Sequence, residues 1–119
     1  MGKRIAISVQ RKWGLESELD SRFGRAPAFV IVDLVTKQVL NELDNGFAND
    51  PQGAGTGAAA QMSGAKVDIV ISGRFGPKAY EALHRLGIEM WLAPEGITVK
   101  EVLNQFESGT LEQMTLKVY

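Results

Sequence analysis

Two short stretches of the chain are apolar at almost every position, and a sheet with a bare face cannot hold them. They are Phe29-Val30-Ile31-Val32-Asp33-Leu34 and Val67-Asp68-Ile69-Val70-Ile71. A strand with one wet face alternates apolar and polar residues, whereas an unbroken apolar run of this length implies cover on both faces. A third stretch, Arg4-Ile5-Ala6-Ile7-Ser8-Val9, alternates and places Ile5, Ile7 and Val9 on one face. Sheet cover on two sides requires helices on two sides, and 119 residues suffice for one such α/β domain.

The remaining punctuation gives an element order. Thr36-Lys37 supplies a turn, so Val39 to Leu43 returns antiparallel to the strand before it. A loop from Asn45 to Gly57 leads into a helix of small residues, Thr56 to Met62, with Gly64 placed for a left-handed C-cap. After the strand at 67–71, Pro77 suits the first turn of a helix that runs through Leu83 and Leu86 and stops at Gly87. Ile88 to Leu92 is the fifth strand, and Thr98-Val99-Lys100-Glu101 is a capping box that opens a helix ending before Gly109. The order β-β-β-α-β-α-β-α predicts a mixed five-stranded sheet with helices on its faces. Residues 1–107 form the single domain, and 108–119 read as a weakly alternating tail open to fraying.

Composition narrows the chemistry. The chain has no cysteine and one histidine, His84. That excludes a disulfide scaffold, a thiolate-held zinc site, a cysteine-ligated iron–sulfur cluster and a cysteine nucleophile. A net charge of −1 argues against a nucleic-acid binder, yet the charge is uneven. Residues 1–30 carry six cationic side chains against three carboxylates, and residues 31–54 carry one against four. No targeting signal or membrane-length apolar run is visible, so the expectation is a soluble cytoplasmic protein.

Ligands of open α/β sheets bind beyond the carboxyl ends of the parallel strands. Those ends lead here into loops 10–27, 72–76 and 93–97. The first two hold Arg11, Lys12, Arg22, Arg25 and Arg74, with Lys78 one turn into the next helix, interleaved with Trp13, Phe23, Phe75, Gly24 and Gly73. Cations, aromatic walls and free amides suit a bulky polarisable anion; the alternative is a solvated basic surface. Gly53-Ala54-Gly55-Thr56-Gly57-Ala58 matches a dinucleotide fingerprint but does not directly follow a strand, and it reads as a mobile loop before a helix N-terminus. Asp33 and Asp68 lack the acid on the first strand that nuclease chemistry would need. His84 reads as a surface helix residue, Met62 and Met90 as core filler, and Glu16, Glu18 and Asp20 as a solvated loop.

Three segments carry a resemblance. They are Ile5 to Val9, then Ser21-Arg22-Phe23-Gly24-Arg25-Ala26-Pro27-Ala28-Phe29 running into Val30 to Asp33, and Val70-Ile71-Ser72-Gly73-Arg74-Phe75-Gly76 with Ala79 and Leu83. With the glycine-rich helix start, they make residues 3–107 similar to the dinitrogenase iron–molybdenum cofactor biosynthesis, or NifX-like, family. That resemblance implies a ribonuclease-H-like three-layer α/β/α fold and the carriage of preformed metal–sulfur clusters or cofactor precursors, without catalysis. Nitrogen-fixation members often have histidine where Arg22 stands, and some use cysteine. An arginine-bearing, cysteine-free chain looks more like the orange-protein branch, which holds a molybdenum–copper sulfide cluster non-covalently.

The leading expectation is therefore a non-enzymatic carrier. Arg11, Lys12, Arg22, Arg25 and Arg74 would hold the anion, Trp13, Phe23 and Phe75 would shield it, Gly24 and Gly73 would offer amides, and no side chain would ligate metal directly. A regulatory module docking a nucleotide-dependent ATPase is the alternative, and a nucleotide-binding enzyme is the third reading.

Overall fold

The strand from Arg4 to Val9 (β1) lies at the centre of the sheet because its neighbours need it on both edges. Antiparallel to it runs Ala28–Asp33 (β2), paired Arg4↔Asp33 through Val9↔Ala28, and Val39–Asp44 (β3) pairs with β2 in turn. On the other side Ile69–Ser72 (β4) and then Glu89–Leu92 (β5) run parallel to β1. The helices are Ala54–Gly64 (α1), Pro77–Arg85 (α2) and Val99–Ser108 (α3). The structure, a computed structural model, describes residues 3–115.

Strand alternation divides the core into two layers, as the apolar runs require. Ile5, Ile7, Val9, Val30, Val32, Ile69 and Ile71 meet Val99, Val102 and Leu103 of α3 on one side. Ala6, Phe29, Ile31 and Val70 meet Ala58, Ala59 and Met62 of α1 and Ala79 and Leu83 of α2 on the other. Each buried Val, Leu or Ile contributes about 1.5–3 kcal/mol, so the double cover holds the central strands firmly. Thr98 forms the expected capping box with Glu101, and Gly109 takes the left-handed C-cap at φ 76°.

Several local expectations are corrected. The sheet has six strands, not five: Glu112–Gln113 (β6) lies antiparallel beside β5, with Trp91 opposite Gln113 and Leu92 opposite Glu112. Two residues show no periodicity, and the pairing depends on buried Leu111, which joins the α3 layer. Helix α1 begins at Ala54, two residues before Thr56, as the Gly57 N–H already donates to the Gly53 carbonyl at 2.7 Å. Gly64 stays helical, and the left-handed residue is Lys66, at φ 60°. Among the described residues no helix is long and apolar enough to cross a membrane.

Candidate functional site

At their carboxyl ends β1 and β4 each carry a buried serine, Ser8 one residue before the end of β1 and Ser72 as the last residue of β4. The Ser8 hydroxyl lies 2.7 Å from both the Asp20 carbonyl oxygen and Ser72 Oγ, and the Asp20 N–H donates to the Ser8 carbonyl at 2.8 Å. After β1 the chain leaves the sheet, makes a short 3-10 turn at Gly14–Glu16 and returns, with Leu19 bridged to Val9. The serines then fasten the returning segment across the strand ends. Beyond Asp20, Arg22 bridges in parallel to Arg74 and the Phe23 N–H donates to the Arg74 carbonyl at 3.3 Å. This approach requires a glycine at 73, because a Cβ there would lie 2.7 Å from Ser21 Cα.

Between these two loops and the start of α1 lies an open cleft of about 580 Å³. One wall is Arg22 to Arg25, a second is Pro51 to Gly55, and a third runs from Arg74 to Ala79. Four cationic side chains, those of Arg22, Arg25, Arg74 and Lys78, line it with no carboxylate among the lining residues. Helices α1 and α2 both begin at its edge, and neither has a side-chain N-cap. Two positive helix ends therefore add to the side-chain charge. The glycines make this convergence possible: a Cβ on Gly55 would lie 3.0 Å from the Ala79 Cβ, and one on Gly24 would lie 3.0 Å from Gly55 Cα. Phe23 and Phe75, both buried with ring centroids 5.3 Å apart, form an apolar floor.

The four cations are not equivalent. Arg22 grips Asp20 through Nε and Nη2, both at 3.2 Å, and its own N–H donates to the same carboxylate at 2.8 Å. Hydrogen bonding to Asp20, reinforced by that residue's charge, holds the Arg22 proton still more firmly than usual. Arg25 donates through Nη1 to the carbonyls of Ala48 (3.1 Å) and Asp50 (2.7 Å), which straps loop 45–53 to the cleft. Asn45 ties the other end of that loop by donating from Nδ2 to the carbonyls of Gly24 and Ala26. The Asp50 carboxylate accepts the N–H groups of Gln52 and Gly53, which hold it below the ordinary carboxylate range, with Arg25 a smaller cause. Arg74 and Lys78 have no ion pair or side-chain hydrogen bond among the described residues.

Six of the ten residues singled out in the sequence line this cleft: Arg22, Phe23, Gly24, Arg25, Arg74 and Phe75. Gly73 sits directly behind it as the contact to Ser21. Arg11, Lys12 and Trp13 lie elsewhere. The turn at 14–16 carries them to β3, where Lys12 pairs with Asp44 at 3.0 Å and the Arg11 guanidinium stacks over the exposed Trp13 ring at 4.7 Å. The Gly14 N–H donates to Glu42 of β3, completing that attachment. Phe23 differs from the shielding role expected of it, being a core ring beneath the cleft.

Asp20 also departs from its expected place in a solvated loop, as it is buried at 3% exposure. Its signal is the spacing Asp20-Ser21-Arg22, because an Asp side chain readily takes the N–H two residues on. His84 is an exposed helix residue stacked on Tyr80, and Met62 and Met90 are core residues, as the sequence indicates. Among the described residues no three His, Asp or Glu side chains gather as a metal-ligand group.

Comparison with known proteins places the chain in a family and matches its fold. The sequence profile for dinitrogenase iron-molybdenum cofactor matches residues 3–109. The apo form of the orange protein from Desulfovibrio gigas superposes with a TM-score of 0.88 at 34% identity, over 96% of this chain and 94% of that one. A Thermotoga protein assigned to NifB and the DUF35 family superposes at 0.82 and 30% identity, over 100% and 98% of the two chains. An uncharacterized protein of Methanocaldococcus jannaschii is 30% identical over 112 residues, which is 92% of this chain and 90% of the relative.

Proposed function

The chain belongs to the dinitrogenase iron-molybdenum cofactor family, and from that premise we propose that it is a carrier, not a catalyst, for an anionic metal–sulfur cluster. The cargo is a molybdenum–copper sulfide cluster or a related molybdenum or iron cofactor precursor, seated in the cleft between Arg22–Arg25, Pro51–Gly55 and Arg74–Ala79. One observation carries the reading: four cations and two uncapped helix N-termini face one cleft whose lining holds no carboxylate. A cluster that brings its own sulfide ligands needs charge complementarity, amide donors and apolar contact, not thiolates from the protein. The donor set present fits that requirement, and the apolar floor of Phe23 and Phe75 suits a polarisable sulfide surface.

Within the cleft the roles divide by how each cation is already used. Arg74 and Lys78 are free to contact the cargo directly. Arg22 presents a guanidinium partly neutralised by Asp20, and Arg25 holds the loop that closes one side. Resemblance to the orange protein favours the molybdenum–copper form and accounts for a cluster-binding chain without cysteine.

Mixing apo protein with tetrathiomolybdate and a copper salt tests the proposal. The expected result is a charge-transfer chromophore that co-elutes with the protein and is lost in the Arg74→Glu/Lys78→Glu double variant. Colour that remains with the small molecules, or that is unchanged in the folded double variant, overturns it.

A further inference from the structure

On the far side of α2 from the cleft's glycines, a second hollow of about 540 Å³ lies between that helix and the β5–β6 edge. The donor chemistry there is unusual for this chain. With no cysteine, its soft donors among the described residues are His84, Met62, Met90 and Met114. Three of these four, His84, Met90 and Met114, line the hollow together. Met62 alone lies elsewhere, fully buried beneath α1.

Local structure accounts for the gathering. Trp91 pairs with Gln113 and Leu92 with Glu112, so the register places Met90 opposite Met114, and the Met114 N–H donates to the Met90 carbonyl at 2.9 Å. Directly opposed residues of an antiparallel pair share a face, with Cβ atoms about 4.5–5.5 Å apart. Both methionines pack in the α1–α2 layer of the core, together with Tyr80. One turn along α2 from Tyr80, His84 lies with its ring stacked at 5.8 Å and 7° on the tyrosine, which limits where the imidazole can turn. Two carboxylates adjoin the hollow, and both are engaged: Glu89 accepts from Trp91 Nε1 at 3.1 Å, and Glu81 pairs with Arg85 at 2.6 Å.

We propose that His84, Met90 and Met114 form a copper(I) site, two thioethers and one imidazole, distinct from the anion cleft. Thioether and imidazole donors select Cu(I) over hard cations, and a closed-shell ion tolerates the low coordination number that three such donors supply. The site stands without the cluster reading. If that reading also holds, a further consequence follows from position: Phe75 and Pro77 line both the cleft and an adjoining hollow whose walls His84 and Met114 also form. Copper held here would then be stored on the side of Phe75 and Pro77 away from a thiomolybdate in the cleft, within reach of transfer to it.

The test uses the full apo chain without oxygen, titrated with Cu(I) supplied as its acetonitrile complex against a chromophoric Cu(I) chelator. One Cu(I) per chain is expected, with affinity reduced at least about tenfold in both His84→Gln and Met114→Leu. Silver(I), a redox-silent substitute, is expected to shift the NMR signals of the His84 ring and the Met114 methyl. Met114→Leu conserves volume and His84 is exposed, so thermal melts of both variants should match the parent. Competition curves that coincide for the parent and both folded variants overturn the proposal and leave the methionines as packing alone. The Arg74→Glu/Lys78→Glu variant separates the two readings, because it should lose the cluster while its Cu(I) affinity is unchanged.

Discussion

Replacing Asp20 with asparagine should move stability and anion affinity in opposite directions. Asparagine keeps the volume, and its Oδ1 can still accept the Arg22 N–H that now lies at 2.8 Å. That bond fixes which way the amide faces, so Nδ2 meets the Arg22 guanidinium where Asp20 Oδ2 accepts from Nη2 at 3.2 Å. One charge-assisted hydrogen bond becomes a donor–donor contact. The Arg22 side chain is 48% exposed, so it turns to water and recovers much of the loss. A net cost of about 1–2 kcal/mol follows, or a fall in Tm of roughly 3–8 °C for a domain of this size.

For the anion the sign reverses, since the substitution removes one negative charge from beside the cleft. At a separation of roughly 8 Å and an effective dielectric of about 20–80, that change is worth about 0.5–2 kcal/mol per unit of ligand charge. Physiological salt favours the lower end, so a dianion such as tetrathiomolybdate should bind roughly fivefold more tightly. A thermal melt and a spectrophotometric titration of the same preparation give both numbers. A folded Asp20→Asn protein that binds the anion more weakly would refute the reasoning, because Asp20 would then act by aiming Arg22 and not by neutralising it.

Other expectations follow from the same contacts. Gly73→Ala should cost about 1–3 kcal/mol in denaturant unfolding, as the new methyl meets Ser21 backbone at 2.7 Å and the two loops must part. Thr98→Ala removes the capping-box acceptor of the Glu101 N–H and should cost about 1 kcal/mol by the same measurement. Raising salt from low to high should weaken cluster binding in the parent, and less so in Lys78→Ala, which removes one cation and keeps Arg74, when retention of the chromophore is followed. Asp33, Asp50 and Glu107 are held below their ordinary range by the Thr36 N–H, the Gln52 N–H and Lys37 respectively. Their stabilisation is complete above the unfolded carboxylate range, near pH 4, and is lost as pH falls through the lower folded values. Asp50→Asn should flatten the acid limb of a plot of Tm against pH.

The layering was legible because it is written in periodicity. Phe29 to Val32 and Ile69 to Ile71 could satisfy both faces only under helices on each side, and the two core layers divide at those residues. The capping box at Thr98 and the glycine at 109 were equally plain, because each acts through residues close in sequence. What escaped was set by distant partners. The strand at Glu112–Gln113 exists because β5 offers an open edge and Leu111 finds a pocket, and neither condition leaves a mark on residues 110–115. Lys66 takes the left-handed turn in place of Gly64 because its N–H reaches the Ser63 carbonyl one residue beyond the C-cap.

The candidate site divides along the same line. Charge composition drew attention to the front loop as a whole, yet the loop splits at Gly14–Glu16. Local bonds among Trp13, Gly14, Glu16 and Ser17 make a turn there, and one distant bond, from the Gly14 N–H to Glu42, fastens it to β3. Lys12 goes to β3 and Arg11 to the exposed Trp13 ring, and Arg22 and Arg25 go to the cleft. Counting cations along a loop therefore overstates what a cleft can present. The count that matters is of charges left unneutralised after folding. Since Arg22 pairs with Asp20, it falls here from four lining residues to Arg25, Arg74 and Lys78, plus two helix ends, of which that of α1 is offset by the Asp50 carboxylate on the Gly53 N–H. The α2 end acts as roughly half a positive charge, so with the three free side-chain charges the cleft offers roughly three units of uncompensated charge. A ligand of two or three negative charges would be matched there, and a much more highly charged one would need Asp20 to release Arg22. Comparing affinities of sulfide anions of rising charge, in the parent and in Asp20→Asn, measures that match: the gain on substitution should grow with ligand charge, and a gain that stays constant would mean the charges do not share one site.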